Sequence, residues 1–231
     1  MNSHRTEELN FPERARREWL RRALLGGAAI PLLIRDVLAA SPPRSRLVRT
    51  NGEVLINGKP AKIGASVRPG DSVATARGGS AVFVIGRDAF LMREESQLQT
   101  AGRAALVGSL RLVTGKLLSV FGRGSRVIDT PTATIGIRGT GIYVEAEVER
   151  SYVCTCYGQV DLQATNMPEA RETVSTTHHD APRYIYAHGE APIKMIESAP
   201  VINHTDAELI MLESLVGRKP PFLRSGYNYR Y

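Results

Sequence analysis

Cysteine is scarce in this chain, with two among 231 residues. That is too few for a disulfide framework, so the fold must bury a core of its own. There is one tryptophan, and aromatic residues make up only 6% of the sequence. The body of the chain has no apolar run of about 18 residues, which excludes a polytopic membrane protein. A concentrated basic patch is missing too. Residues 1–40 hold seven arginines against five acids, leaving +5 of the formal +7 to be spread over the other 191 residues. A nucleic-acid binder shows a basic stripe interleaved with aromatics, so nucleic acid is not an expected partner. At 42% hydrophobic and 23% charged, the composition is that of an ordinary globular protein.

Turn formers are abundant, with 21 glycines and 13 prolines. From Leu47 onward, short apolar or alternating segments are separated by Gly, Pro, Asn and Asp, the signature of strands. Val54-Leu55-Ile56 runs into Asn57-Gly58, a strong hairpin signal. Ala81–Ile85 and Ala89–Met92 flank a Gly-Arg-Asp break. Leu110 to Phe121 is interrupted at Gly115-Lys116, and Thr134–Ile137 and Gly141–Val148 follow. Tyr152–Cys156 and Gln159–Ala164 flank Tyr157-Gly158. About ten short strands are therefore expected between residues 47 and 165. Beyond them, 166–183 reads as a polar loop and Tyr184–Tyr186 as a short strand. Thr205-Asp206-Ala207-Glu208 reads as a capping box opening a helix near 206–216, closed by Gly217. The reading is an all-β domain over 47–165 with a loop-rich extension, 166–231, that carries one short helix.

The first forty residues read as an address. Arg16-Arg17-Glu18-Trp19-Leu20-Arg21 precedes a 12-residue apolar stretch, Ala23 to Ile34, and small residues follow at Val37-Leu38-Ala39-Ala40-Ser41. The stretch is too short for a comfortable membrane span of about 20 residues but fits the apolar region of a signal peptide. The whole of 1–41 resembles a twin-arginine export signal, and the alternative is a basic amphipathic helix. The resemblance implies a periplasmic protein, with the membrane involved only if the signal is left uncleaved.

The run Asn51-Gly52-Glu53-Val54, Asn57-Gly58, Gly64, Gly70-Asp71-Ser72-Val73, Gly79-Ser80-Ala81 and Leu91 resembles the FecR domain. Leu112, Gly115-Lys116, Val127, Thr130-Pro131, Gly139-Thr140 and Tyr143-Val144 fit its second half. The resemblance implies a twisted, solenoid-like or roll-like β unit of the kind found in periplasmic signalling proteins, with a protein or polymer partner in the cell envelope. Signalling members of the family carry a cytoplasmic sigma-factor-binding domain. About 15 residues precede the twin arginines, fewer than any domain needs, so no such domain is expected on this chain.

Cys154-Thr155-Cys156 lies in a strand pattern, which puts both sulfurs on one face with Cα atoms about 7 Å apart. That separation is at the limit for a disulfide, whereas two thiolates on one face can hold zinc, copper or iron. His178-His179-Asp180 follows after a loop long enough to return to them, while His188 and His204 are weaker donors. Cys154, Cys156, His178 and His179 are thus a candidate transition-metal site, one of the two histidines serving as ligand. A strained disulfide and a pair of inert buried thiols are the alternatives. Gly136-Ile137-Arg138-Gly139-Thr140-Gly141 sits between strand patterns, so it fails as a dinucleotide fingerprint. No nucleophile–base pair can be assembled, and side-chain catalysis is not expected. The expected function is an exported binding or sensory module, with a metal-dependent redox or sensor protein as the alternative.

Fused to a reporter that requires translocation in the folded state, residues 1–41 should deliver it to the periplasm. Replacing Arg16 and Arg17 together by Lys should abolish delivery, and export that survives the double change overturns the twin-arginine assignment.

Overall fold

The computed structural model describes residues 45–189 and 195–225. The expected export signal over 1–41 lies outside them. Among the described residues, no helix is long and apolar enough to cross a membrane.

Among the described residues the fold is all-β with one short α-helix. Eleven strands fall within the region expected to hold about ten: β1 Arg46–Asn51, β2 Val54–Ile56, β3 Lys59–Pro60, β4 Ser72–Thr75, β5 Ser80–Ile85, β6 Asp88–Met92, β7 Gln97–Arg103, β8 Leu106–Val120, β9 Ser125–Asp129, β10 Ala133–Ala146 and β11 Arg150–Ala164. Three more follow, β12 Arg171–Thr176, β13 Arg183–Tyr186 and β14 Ile196–Ser198, and then the helix α1, Asp206–Leu215. All belong to one sheet, whose main path runs β14-β13-β11-β10-β9-β8-β7-β4-β2-β3, with β1, β5, β6 and β12 branching from it. The path has two ends, so it is not closed into a barrel.

Two expectations are corrected. Strand pairs expected on either side of Gly115, of 138–140 and of Tyr157-Gly158 are single long strands, β8, β10 and β11. Glycine bends these strands instead of ending them, because an αL residue can sit inside a ladder as a bulge. Each bend is where a strand changes partner. Before its bend β8 pairs with β7, and after it with β6 and β10. Strand β10 leaves β9 for β8 across the register shift between Arg138 and Gly141. Along its other edge, β11 pairs with β13 over 150–153 and with β12 over 158–163. The second correction concerns 166–183, read as loop, where Arg171–Thr176 forms β12. Its Arg, Glu and Thr side chains are largely exposed, so the segment looks polar while its backbone completes the edge of β11. Gly70 and Gly139 have φ of 103° and 60°, where glycine carries no steric cost.

The central strands are buried on both sides. Phe83, Phe90, Leu112, Ile135, Val144 and Val153 belong to the larger core. Their neighbours Val82, Val84, Leu91, Leu118, Tyr143, Tyr152, Cys154 and Cys156 point to the opposite face and form a second core. Helix α1 covers this second face, packing on β6 and β8 and burying Leu209 and Leu212. Its expected capping box is present, with Thr205 accepting from the Glu208 N–H and the Glu208 carboxylate accepting from the Thr205 N–H.

At Gly141, β10 lies against the Tyr157 ring of β11. A Cβ there would lie 2.5 Å from Cε1 of the Tyr157 ring, and Tyr157 OH is bonded to buried Glu213. The ring must move to admit even one methyl group. Gly141→Ala should therefore destabilise the chain by about 1–3 kcal/mol, read as a lowered denaturation midpoint, and an unchanged midpoint would show the ring free to yield.

Candidate metal centre

Four buried side chains converge beneath the N-terminal end of α1. Cys154 and Cys156 come from β11, His179 from the loop between β12 and β13, and His204 from the residue before the helix cap. One ligand atom from each, Sγ or a ring nitrogen, lies within 4.8 Å of all the others. His179 Nδ1 is 3.4 Å from Cys154 Sγ and 3.0 Å from His204 Nε2. Tetrahedral zinc, with bonds of about 2.3 Å to sulfur and about 2.0–2.1 Å to nitrogen, implies ligand–ligand edges from about 3.3 to about 3.8 Å. The cluster is already near those dimensions.

Local chemistry positions each donor. Strand alternation turns both sulfurs to the second face. The Asp180 carboxylate accepts from the Thr177 and His178 N–H groups and closes a tight loop. Within it His179 has φ of 52° and donates its N–H to the Cys156 carbonyl at 3.0 Å. This left-handed residue separates the two neighbouring imidazoles. His179 turns Nδ1 to the sulfurs, while His178 packs on Phe222 and places Nε2 2.7 Å from Asp206 Oδ1. His204 stacks on Tyr143, with centroids 4.6 Å apart.

Counting protons shows what the cluster can hold. A neutral imidazole carries one N–H. In His204 the Nδ1–H donates to the Ile202 carbonyl at 2.6 Å, which leaves Nε2 a lone pair. In His179 the Nε2–H donates to Asp206 Oδ1 at 3.2 Å, which leaves Nδ1 a lone pair. With both rings neutral, as metal ligation requires, these two nitrogens face each other and Cys154 Sγ as acceptors for a shared cation. An outer oxygen that anchors the far N–H of an imidazole is the arrangement found around metal-ligating histidines. Asp206 is 1% exposed and its Oδ2 has no hydrogen-bond partner, so a buried carboxylate oxygen is left unpaired at the helix start. The residues fit a transition metal.

The thiols are both free and buried. Cys154 is pulled from the ordinary thiol range down to about 3, first by a hydrogen bond from Cys156 and then by His179 and His204. Cys156 is pushed up by burial and by the charge on its neighbour. Burial alone would lower His179, but Cys154 and Asp206 outweigh it and raise it. Cys154, His179 and Asp206 also line up as nucleophile, base and orienting acid. Cys154 is 0% exposed, however, and the two surface cavities, of about 400 and 480 Å³, are lined by other residues. Among the described residues the sulfur is sealed from solvent.

Of the residues expected from sequence, Cys154, Cys156 and His179 meet as ligand candidates. His178 stands behind them on Asp206, and His188 is exposed and outside the cluster. Sequence reasoning ranked His204 too low and read Asp206 only as a helix-start acid. The signal available was the His-Thr-Asp run at the capping box, which sets a ring and a carboxylate side by side at a buried helix end.

No family model matches the chain, and no curated protein matches it. Among solved structures it is similar to two crystal structures of a "putative anti-sigma factor" from Parabacteroides distasonis. One has 12% identity and a TM-score of 0.45 over 55% of this chain and 58% of that one. The other has 12% identity and a TM-score of 0.46 over 63% and 73%. The chain thus spans less than two thirds of the first.

With metal removed, Cys154 should still titrate below the ordinary thiol range, seen as ultraviolet thiolate absorbance, because the hydrogen bond that supports it most comes from Cys156 within β11 and not from the helix segment. Cys154→Ser should abolish it, and Cys156→Ser, whose hydroxyl can still donate, should retain it. Because the folded value lies below the unfolded one, the stability this thiolate contributes is full above about pH 8.5. It fades as the pH falls toward about 3. Absorbance that survives in Cys154→Ser would assign the thiolate to the wrong sulfur.

Proposed function

We propose that this chain is a zinc-binding, FecR-like β module that works in the cell envelope in binding or regulation and not in catalysis. The observation that carries the metal reading is the convergence of four buried donors whose two imidazoles have their far N–H groups anchored on oxygen. Four protein ligands of the Cys₂His₂ type make a closed tetrahedral site, which zinc prefers and which leaves no open position for chemistry. His204, a weaker donor by sequence, is the residue that closes it. A zinc ion there would supply positive charge to two thiolates and to Asp206. Cys154 and Cys156 would hold it from β11, His179 and His204 from the two flanking segments, and Asp206 would fix the His179 tautomer. Export through the twin-arginine signal, and a protein or polymer partner in the periplasm, are the setting that the N-terminal residues and the FecR-like run support.

Elemental analysis of the folded chain should find one zinc per molecule. Cys154→Ser and Cys156→Ser should lose it, and His204→Ala should weaken binding far more than His178→Ala. Asp206→Asn should cost about 10–100-fold in affinity. Cobalt taken up in place of zinc should give the intense visible bands of a tetrahedral thiolate site. Absence of stoichiometric metal, or a His178→Ala variant that loses metal while His204→Ala keeps it, overturns the assignment.

A further inference from the structure

Three of the four donors belong to β11 and the loop that follows β12, whereas the fourth, His204, belongs to the segment that carries α1. The outer partner Asp206 is the first residue of that helix. The metal would therefore join two parts of the chain that are far apart in sequence, and the nature of the other contacts decides how much depends on it.

Helix α1 has ten residues, too short to be stable alone in water, so it exists because it is docked. Its far end is held without any metal: Glu213 accepts from Tyr157 OH and pairs with Arg218, which also reaches the Arg87 carbonyl. Its middle buries Leu209 and Leu212. The near end differs, because what it buries there is His204 and Asp206. A buried carboxylate with an orphan oxygen and two opposed imidazole lone pairs cost free energy unless a cation compensates them. Other hydrogen bonds of this end are half-buried or exposed: Arg93 to Glu208 and to the Asn203 carbonyl, Asn203 to Glu145, and the Ile202 N–H to Tyr152 OH.

We propose that the metal is a latch for the near end of the C-terminal helix, so that metal occupancy decides whether residues 201–212 stay docked on the second face of the sheet. This rests on the metal site proposed above. Loss of the ion leaves the near end with buried polar groups that only water can satisfy, and water reaches them if this segment lifts. The larger core, on the opposite face, shares none of these groups and stays folded. The latch makes the cover over Tyr143, Leu118 and Val82 responsive to available zinc.

Hydrogen exchange read by mass spectrometry, on the purified chain with zinc bound and after chelation, tests the coupling. Chelation should speed exchange over 201–212 by about 10-fold or more while β5 and β6 change by less than about 2-fold. At saturating zinc, His204→Ala should reproduce the chelated pattern although three ligands remain, and His204→Cys, which restores a fourth, should return protection. Exchange over 201–212 that is indifferent to zinc overturns the latch, as does chelation that exposes β5 and β6 equally. Zinc content measured on the same samples separates the two ideas: no bound zinc sinks the metal site itself, and bound zinc with an unmoved helix sinks only the latch.

Discussion

Strand β11 is hydrogen-bonded on both edges for most of its length, to β10 on one side and to β13 and then β12 on the other. Everything at the candidate site depends on that constraint. Over 150–156 the paired strand cannot rotate, and alternate residues are committed to opposite faces. Val153 enters the larger core, while Tyr152, Cys154 and Cys156 enter the second. A slip of one residue would exchange the two sets, placing thiols in the aliphatic core. Cys156 is skipped in the register with β10, and this bulge reverses the alternation, so that Tyr157 joins the second core and Val160 and Leu162 the larger one. Just beyond it, at Gly158 (φ 95°), the other edge of β11 takes up β12.

A left-handed histidine then converts a pair of neighbours into ligand and support. Non-glycine residues at positive φ cost of order 1–3 kcal/mol when held there. His179 is held by its own N–H on the Cys156 carbonyl and by the Asp180-closed loop. That strain directs one ring to the sulfurs and the other to Asp206. A fully extended His178-His179 would have pointed one ring to solvent.

Two other buried acids have an arginine beside them. Asp88 pairs with Arg126 at 3.1 Å, although burial still raises its pKa against the pull of the Gly122 N–H and of that arginine. Glu213 pairs with Arg218 and accepts from Tyr157. Asp206 is bonded to two imidazoles and keeps an orphan oxygen. That contrast supports the cation proposed where the helix meets the sheet.

Much of this was legible in residues alone. Turn chemistry and alternation marked the strands, Thr205 and Glu208 marked the helix start, and Cys-x-Cys in a strand fixed both sulfurs to one face, because these are local properties of backbone and spacing. Glycines at 115, 139 and 158 were legible as breaks but not as bends, since a positive φ ends a strand or curves it according to whether a new partner waits beyond. Strand β12 was hidden for the same reason, its edge pairing leaving polar side chains outside. The choice between His178 and His204 could not be read at all. Ring direction depends on a loop torsion, and the approach of His204 depends on how a helix some fifty residues beyond the cysteines docks on them. The sequence determined which atoms could bind a metal. Only tertiary packing decided which of them meet, because convergence of donors from three places in the chain is a property of the docked surfaces and not of any one segment.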